Sequence, residues 1–277
     1  MNAYEMRTEI RENINEATAD HWTDLDILRK LNQAQRRAAI KLSLATGDWL
    51  IKRSTALTPS SQQITLPSDC AKPVYMETVT DGYPIEFGFS VRDRRSSRQS
   101  GASISSGYNE GYLLQDTIEI NADSFSDTVY LWYQRRVPDL MFGTASAGAA
   151  TSLTFPSAMR PKMEADYYNG VGIEIVSGTG SPARDTISDY TAAFVCTVSG
   201  TFSSDSIFGT LSEIPEEGHP FMVLSATLGL LAKPSAALDP KYFEYFKAEQ
   251  RDAQKDFEQW VETRKSGSIR TRITGYE

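Results

Sequence analysis

The chain has 277 residues, with 28 lysines and arginines against 36 aspartates and glutamates, a net charge of −8 and a pI near 5.0. That length buries a sizeable core in one large or two smaller domains, and two are expected. The acidity argues against tightly held nucleic acid, whose binding depends on Lys/Arg neutralising phosphates, but suits a path through which DNA slips without sticking. Cys70 and Cys196 are the only cysteines. They imply free thiols in a reducing compartment and no disulfide framework. The first residues lack an apolar stretch of signal-peptide type, and the longest nearly apolar run, residues 221–232, is too short to cross a bilayer. The chain is therefore expected to be made in the cytoplasm, with no membrane partner.

Met6, Ile10, Ile14 and Ala17 recur at steps of three and four and predict an amphipathic helix over 3–18. After a break at Asp20 to Trp22, Thr23 and Asp26 form a capping-box pattern. Leu28, Leu31, Gln35, Ala38 and Leu42 then line one face of a second helix up to Gly47, with Leu25 and Ile27 widening the stripe. Short runs rich in aromatic and branched residues follow at 49–51, 63–66, 73–76, 78–80 and 84–87, and predict strands. Asp81-Gly82 between two of them predicts a hairpin. Residues 97–109 read as a loop, and strands return at 111–115, 117–120 and 129–135, where alternation suggests a sheet with one solvated face.

Residues 143–212 are rich in Gly, Ser and Thr and hold three basic residues (Arg160, Lys162, Arg184) against six acidic ones. Runs at 152–155, 172–176, 184–187 and 193–198, with turns at Asn169-Gly170 and 177–180, predict a small acidic sandwich or barrel inserted into a framework. A helix with Phe221, Leu224, Leu228 and Leu231 on a wide apolar face follows. Asp239-Pro240 then opens a long helix carrying Phe243, Phe246, Gln250, Ala253, Phe257 and Trp260 along one stripe. Residues 266–277 alternate Ile269, Thr271 and Ile273 with Arg270 and Arg272 in an uncapped tail. The expected class is α+β: a bundle of about four helices with a small antiparallel β-layer (1–142 plus 213–265), an inserted all-β domain (143–212) and an extended tail (266–277).

The pair Gly178 and Gly180 is read as a hairpin turn, because a phosphate loop must lead from a strand into a helix N-terminus and this one leads through Pro182 to another strand. His219 beside Glu216 and Glu217 is read as the start of a helix, with the acids complementing its N-terminus. Neither cysteine has a histidine close in sequence, and no catalytic, metal or cofactor constellation stands out. The run from Arg92 to Arg98 contains four arginines and is read as a solvated turn, with contact to DNA or to an acidic rim as the sharper reading.

Three stretches carry a resemblance: Trp22 followed by a helix bearing Leu31-Asn32-Gln33-Ala34, the strand exit Leu66-Pro67-Ser68-Asp69, and 211–219 leading straight into an apolar helix. In this order, with an excisable β-module, the chain resembles the head-to-tail adaptor (connector) proteins of tailed bacteriophages. The resemblance implies a non-enzymatic structural virion protein without cofactor, made in the host cytoplasm. It would form a homo-oligomeric ring, typically of twelve copies, on the tail side of the portal, with DNA passing through its lumen. Implied partners are the portal protein and the tail nozzle or tube protein; a tail fibre or spike is expected on the insert, which points outward because only the periphery of a ring has room for it. Ile269, Arg270, Arg272, Ile273 and Tyr276 are the portal-contact candidates, since alternating Ile and Arg suits strand addition. Part of the stripe Phe243, Phe246, Phe257 and Trp260 is expected at subunit interfaces. Two other classes remain: a host-surface protein binding glycan through Tyr167, Tyr168 and Tyr190 as exposed stacking rings, and an enzyme of unrecognised type.

Overall fold

The computed structural model describes residues 1–16, 21–46, 49–87, 109–120, 125–232 and 240–265. The chain divides into two compact units, Gly47–Arg136 and the combination of Met1–Thr46 with Val137–Glu277.

Among the described residues, the Gly47–Arg136 unit forms one seven-stranded sheet. Its strands are β1 (Ile51–Arg53), β2 (Gln63–Thr65), β3 (Cys70–Thr78), β4 (Pro84–Phe87), β5 (Asn109–Leu114), β6 (Thr117–Ile120) and β7 (Val129–Arg135). Their order is β1-β7-β3-β4-β5-β6-β2. Neighbours are antiparallel except β4 and β5, which are parallel. The runs expected at 73–76 and 78–80 join into the single strand β3, and Gly82, at φ +67°, turns β3 into β4 as the Asp-Gly pair predicts. Alternation along β7 sends Val129, Leu131 and Tyr133 into a core with Ile64, Met76, Ile85, Ile118 and Ile120. Tyr130 and Trp132 take the opposite face, where the Arg53 guanidinium lies 4.5 Å and 5.7 Å from their ring centres. At the strand exit, Asp69 accepts from Tyr133 Oη at 2.7 Å and pairs with Lys52 at 2.8 Å. The arginine run 92–98 and most of the loop expected at 97–109 lie outside the described residues.

The other unit carries four α-helices among the described residues and is mixed α+β. Helix α1 (Ala3–Asn13) starts at a full capping box between Asn2 and Glu5 and buries Met6 and Ile10. It stops earlier than expected, with Asn15 at φ +54°; Ala17 lies outside the described residues. Helix α2 (Asp24–Thr46) has the Thr23 hydroxyl accepting from the Asp26 amide at 3.2 Å while donating to the Asp26 carboxylate at 2.7 Å. Ile27, Leu28, Leu31, Gln35, Ala38 and Leu42 are all buried, the stripe that their spacing predicts.

Eight strands follow: β8 (Phe142–Thr144), β9 (Ala147–Ala149), β10 (Ser152–Thr154), β11 (Gly172–Ser177), β12 (Ala183–Thr186), β13 (Asp189–Tyr190), β14 (Val195–Thr197) and β15 (Ile207–Thr210). They form two antiparallel four-stranded sheets, β13-β14-β10-β9 and β12-β11-β15-β8. The turn at 177–180 is the expected hairpin: β11 pairs with β12, and Gly178 and Gly180 have φ of +82° and +89°. A Cβ at Gly178 would stand 2.2 Å from the Asp205 carbonyl oxygen, so a side chain is excluded there.

Helices α3 (His219–Leu231) and α4 (Pro240–Lys265) complete the unit. α3 packs against α1, α2 and α4, and α2 also touches α4. Phe221 near the start of α3 lies by Lys41 of α2 and Phe257 of α4, Ser225 bonds Gln250, and Gly229 lies under Lys30. α3 is therefore antiparallel to both α2 and α4, which run in the same direction.

The division expected between 1–142 with 213–265 and an insert at 143–212 differs from the one the contacts draw. Strands β8 to β15 group with the helices, while β1 to β7 stand as the second unit. The physical reason is the N-terminus: Asn2 bridges to Leu211 and its side-chain amide donates to Glu174 at 3.1 Å. Gly209 of β15 lets α1 approach so closely that a Cβ there would lie 2.7 Å from the Tyr4 nitrogen.

Candidate functional site

No group of three or more His, Cys, Asp or Glu side chains among the described residues could hold a metal ion. The residues singled out by motif act as joints. Asn32, in the Leu-Asn-x-Ala stretch of α2, exchanges two hydrogen bonds with the Leu140 backbone: its amide donates to the carbonyl at 3.1 Å and its oxygen accepts from the amide at 2.6 Å. One turn on, Gln35 donates to the Pro138 carbonyl at 2.7 Å and accepts from the Ser212 hydroxyl at 2.9 Å. Two neighbouring polar side chains of α2 thus hold both ends of the β8–β15 segment. Arg36 adds an ion pair to Asp139 at 2.7 Å, and Lys162 approaches the same carboxylate at 3.5 Å. Asn32→Leu is expected to lower the unfolding free energy by about 2–3 kcal/mol, because it leaves a buried amide and carbonyl unpaired. Denaturant titration of the variant against the wild type checks this.

The stretch 211–219 is a second joint. The Ile214 amide donates to Ser212 Oγ at 3.1 Å, and Gly218 packs so tightly that a Cβ would lie 2.7 Å from Ile214 and 2.9 Å from Phe257. Glu216 and Glu217 form the short turn before α3, where acids complement a helix N-terminus, but neither meets the His219 ring in a hydrogen bond. The ring is buried. Its Nε2 donates to the Ile214 carbonyl at 3.0 Å, and Nδ1 accepts from the Met1 amine at 3.3 Å. Burial, and then the neighbouring amine, hold its pKa below the usual histidine value.

The glycan-stacking expectation for Tyr167, Tyr168 and Tyr190 required exposed rings, and the structure corrects it. Tyr168 and Tyr190 are 0% and 1% exposed. Their rings meet edge-on at 4.8 Å, and Phe155 stacks on Phe208 and meets Tyr168 edge-on in one aromatic core shared by both sheets. Tyr167 is half-buried, its hydroxyl accepting from the Asp139 amide at 3.2 Å and its face covered by Lys162. The hydrophobic gain of enclosing large rings between two sheets explains why Tyr168 and Tyr190 face inward.

Along α4, Phe257 is fully buried and stacks between Phe221 and Trp260, and Phe246 is 6% exposed. These two are covered within the chain. Phe243 and Trp260 are half-buried, with the Arg264 guanidinium 4.8 Å from the Trp260 ring centre. Cys70 and Cys196 are free and buried. Burial raises the Cys70 thiol to about 11 and lifts Cys196 as well, the opposite of an activated thiol. The portal-contact candidates Ile269, Arg270, Arg272, Ile273 and Tyr276 lie outside the described residues.

Sequence reasoning missed a buried charge, Arg11. Its side chain is 3% exposed, and the guanidinium bonds Asp24 at 2.6 Å and the Trp22 carbonyl at 3.1 Å, tying α1 to the start of α2. A lone arginine at the end of an amphipathic helix carries no sign of this; the acids at the start of α2 are the only hint.

No curated protein matches the chain. A family model does, over residues 1–165, and the Asn32 and Asp69 joints on which the adaptor resemblance rests both fall inside that span, while the 211–219 joint lies beyond it. With more than half of its length matched, this chain belongs to the SU10 adaptor protein family.

Proposed function

We propose that the chain is a structural virion protein that forms a ring between portal and tail, a conduit for DNA and a platform for tail components. The observation that carries this reading is the family match over residues 1–165. Its physical support is consistent: the motif residues act as joints, and the net charge of −8 suits a channel from which DNA must release. In this reading twelve copies close the ring, the 266–277 tail adds to the portal through Ile269, Arg270, Arg272, Ile273 and Tyr276, and the tail nozzle or tube protein docks on the far side. The 143–212 segment, although its strands pack with the helices as one unit, faces outward toward a fibre or spike, because the periphery of a ring has room for about seventy residues per copy and its axis does not.

The test is the mass of the purified protein alone and after mixing with portal-bearing particles that lack it, by light scattering and then electron microscopy. A ring seated on the portal, lost when residues 266–277 are deleted, is the expected result. A protein that stays monomeric and ignores the portal overturns the proposal.

A further inference from the structure

A ring generated by rotating one copy onto the next joins two different surfaces of the same protein, so those surfaces must complement each other. Helices α2 and α4 each turn a stripe outward, and the stripes differ in charge. On α2, Arg29, Gln33, Arg37, Ile40 and Leu44 are exposed and, at about 100° per residue, fall within an arc of about 80°. Ile40 and Leu44, 60% and 82% exposed, lie one turn apart on the same face and so form an exposed apolar pair rather than isolated surface residues. On α4, Tyr245, Glu249, Asp252 and Asp256 share an exposed face, with Tyr245 56% exposed and Asp252 paired with Lys255 at 3.0 Å. One stripe is basic and aliphatic, the other acidic with aromatic members.

The heights also agree. α2 and α4 run in the same direction, and Lys41 pairs with Glu258 at 2.5 Å. The same residue offset places Arg29 level with Phe246 and Arg37 level with Gln254, the stretch that presents Glu249 and Asp252. It places Ile40 and Leu44 level with Phe257 and Val261, beside the half-buried Trp260 ring. Rotation about an axis along these helices preserves both direction and height. We infer that the α2 stripe of one copy docks on the α4 stripe of the next: Arg29 and Arg37 face Glu249, Asp252 and Asp256, and Ile40 and Leu44 cover Trp260. This inference rests on the ring reading above. It makes Trp260, rather than the buried Phe246 and Phe257, the interface member of the aromatic stripe.

The experiment uses two full-length variants, R29E/R37E and E249R/D256R, with ring formation on portal-bearing particles at low ionic strength as readout. All four residues are exposed, so folding should be kept, as a circular dichroism melt verifies. Each variant alone places like charges across every interface, and ring yield is expected to fall about tenfold or more. An equimolar mixture should rebuild rings, because alternating the two variants makes every interface complementary again and an even-numbered ring closes; the chain carrying all four substitutions should also recover. Rings from either variant at wild-type yield overturn the assignment. So does a mixture that fails like its components, or rings that persist while DNA retention or tail docking is lost, which would turn the stripes toward those partners. Absence of rings from the wild-type chain itself fails the ring reading instead and is read separately.

Discussion

Phe257→Ala is expected to lower the unfolding free energy by about 3–5 kcal/mol, the usual cost of emptying a fully buried aromatic site. The ring is 0% exposed, stacks on Phe221 at 6.0 Å and on Trp260 at 6.4 Å between centres, and fills the space that Gly218 leaves. The surrounding α3 and α4 backbones are pinned by their own hydrogen bonds, so the cavity collapses only in part. Tyr245→Ala, on the exposed side of the same helix, should change stability by less than about 0.5 kcal/mol. Denaturant unfolding of the free protein separates the two. If Phe257→Ala left stability intact and lost only ring formation, the residue would be an interface group and the packing described above would be wrong.

Asp24→Asn should cost about 2–3 kcal/mol. Removing the carboxylate takes from the Arg11 side chain, 3% exposed, the anion it bonds at 2.6 Å; breaking a buried pair from one side is expensive, and the 36% exposure of Asp24 discounts the loss. Arg11→Met combined with Asp24→Asn should recover part of it, since the buried charge is then gone and only Arg7, 20% exposed, still loses its carboxylate, although the Trp22 carbonyl loses a donor. The pair also sets a pH dependence. Burial alone would raise the Asp24 pKa, but hydrogen bonds from Arg7 and Arg11 outweigh it and the folded value lies below the usual one. A carboxyl with a depressed folded pKa contributes stability that is fully present above its unfolded pKa, about 3.9, and is lost as pH falls through the folded value. Stability of the wild type should therefore drop below about pH 4 more steeply than that of Asp24→Asn. Parallel acid profiles would remove the pair as their cause.

What could be read from the sequence follows the range of the forces involved. Helical periodicity is a local property of i, i+3 and i+4 neighbours, so the apolar stripes of α2 and α4 and the proline start of α4 were visible without any tertiary information. The same holds for Gly82 and Gly178, where a turn between two strands needs positive φ and the residue type announces it. Strands β8, β9, β13 and β15 gave no such signal. They are two to four residues long, and Phe142-Gly143-Thr144 and Ile207-Phe208-Gly209-Thr210 carry too little alternation to be told from loop until each pairs with the other.

Tertiary structure alone decided what depends on which surfaces meet. Tyr167-Tyr168 reads as a sticky exposed pair until two sheets close over Tyr168 and Tyr190 and their burial outweighs the cost of enclosing hydroxyls. Arg11 becomes a core residue only because Asp24 and the Trp22 carbonyl converge on it from beyond the end of its own helix. The unit boundaries were also out of reach, since they follow from Asn2, Gly209 and Glu174 meeting across 172 or more residues of sequence, a contact that no local pattern encodes. In the same way the motif at Asn32 was recognisable as a word, and its meaning, a clamp on the backbone of Leu140, came only from the fold.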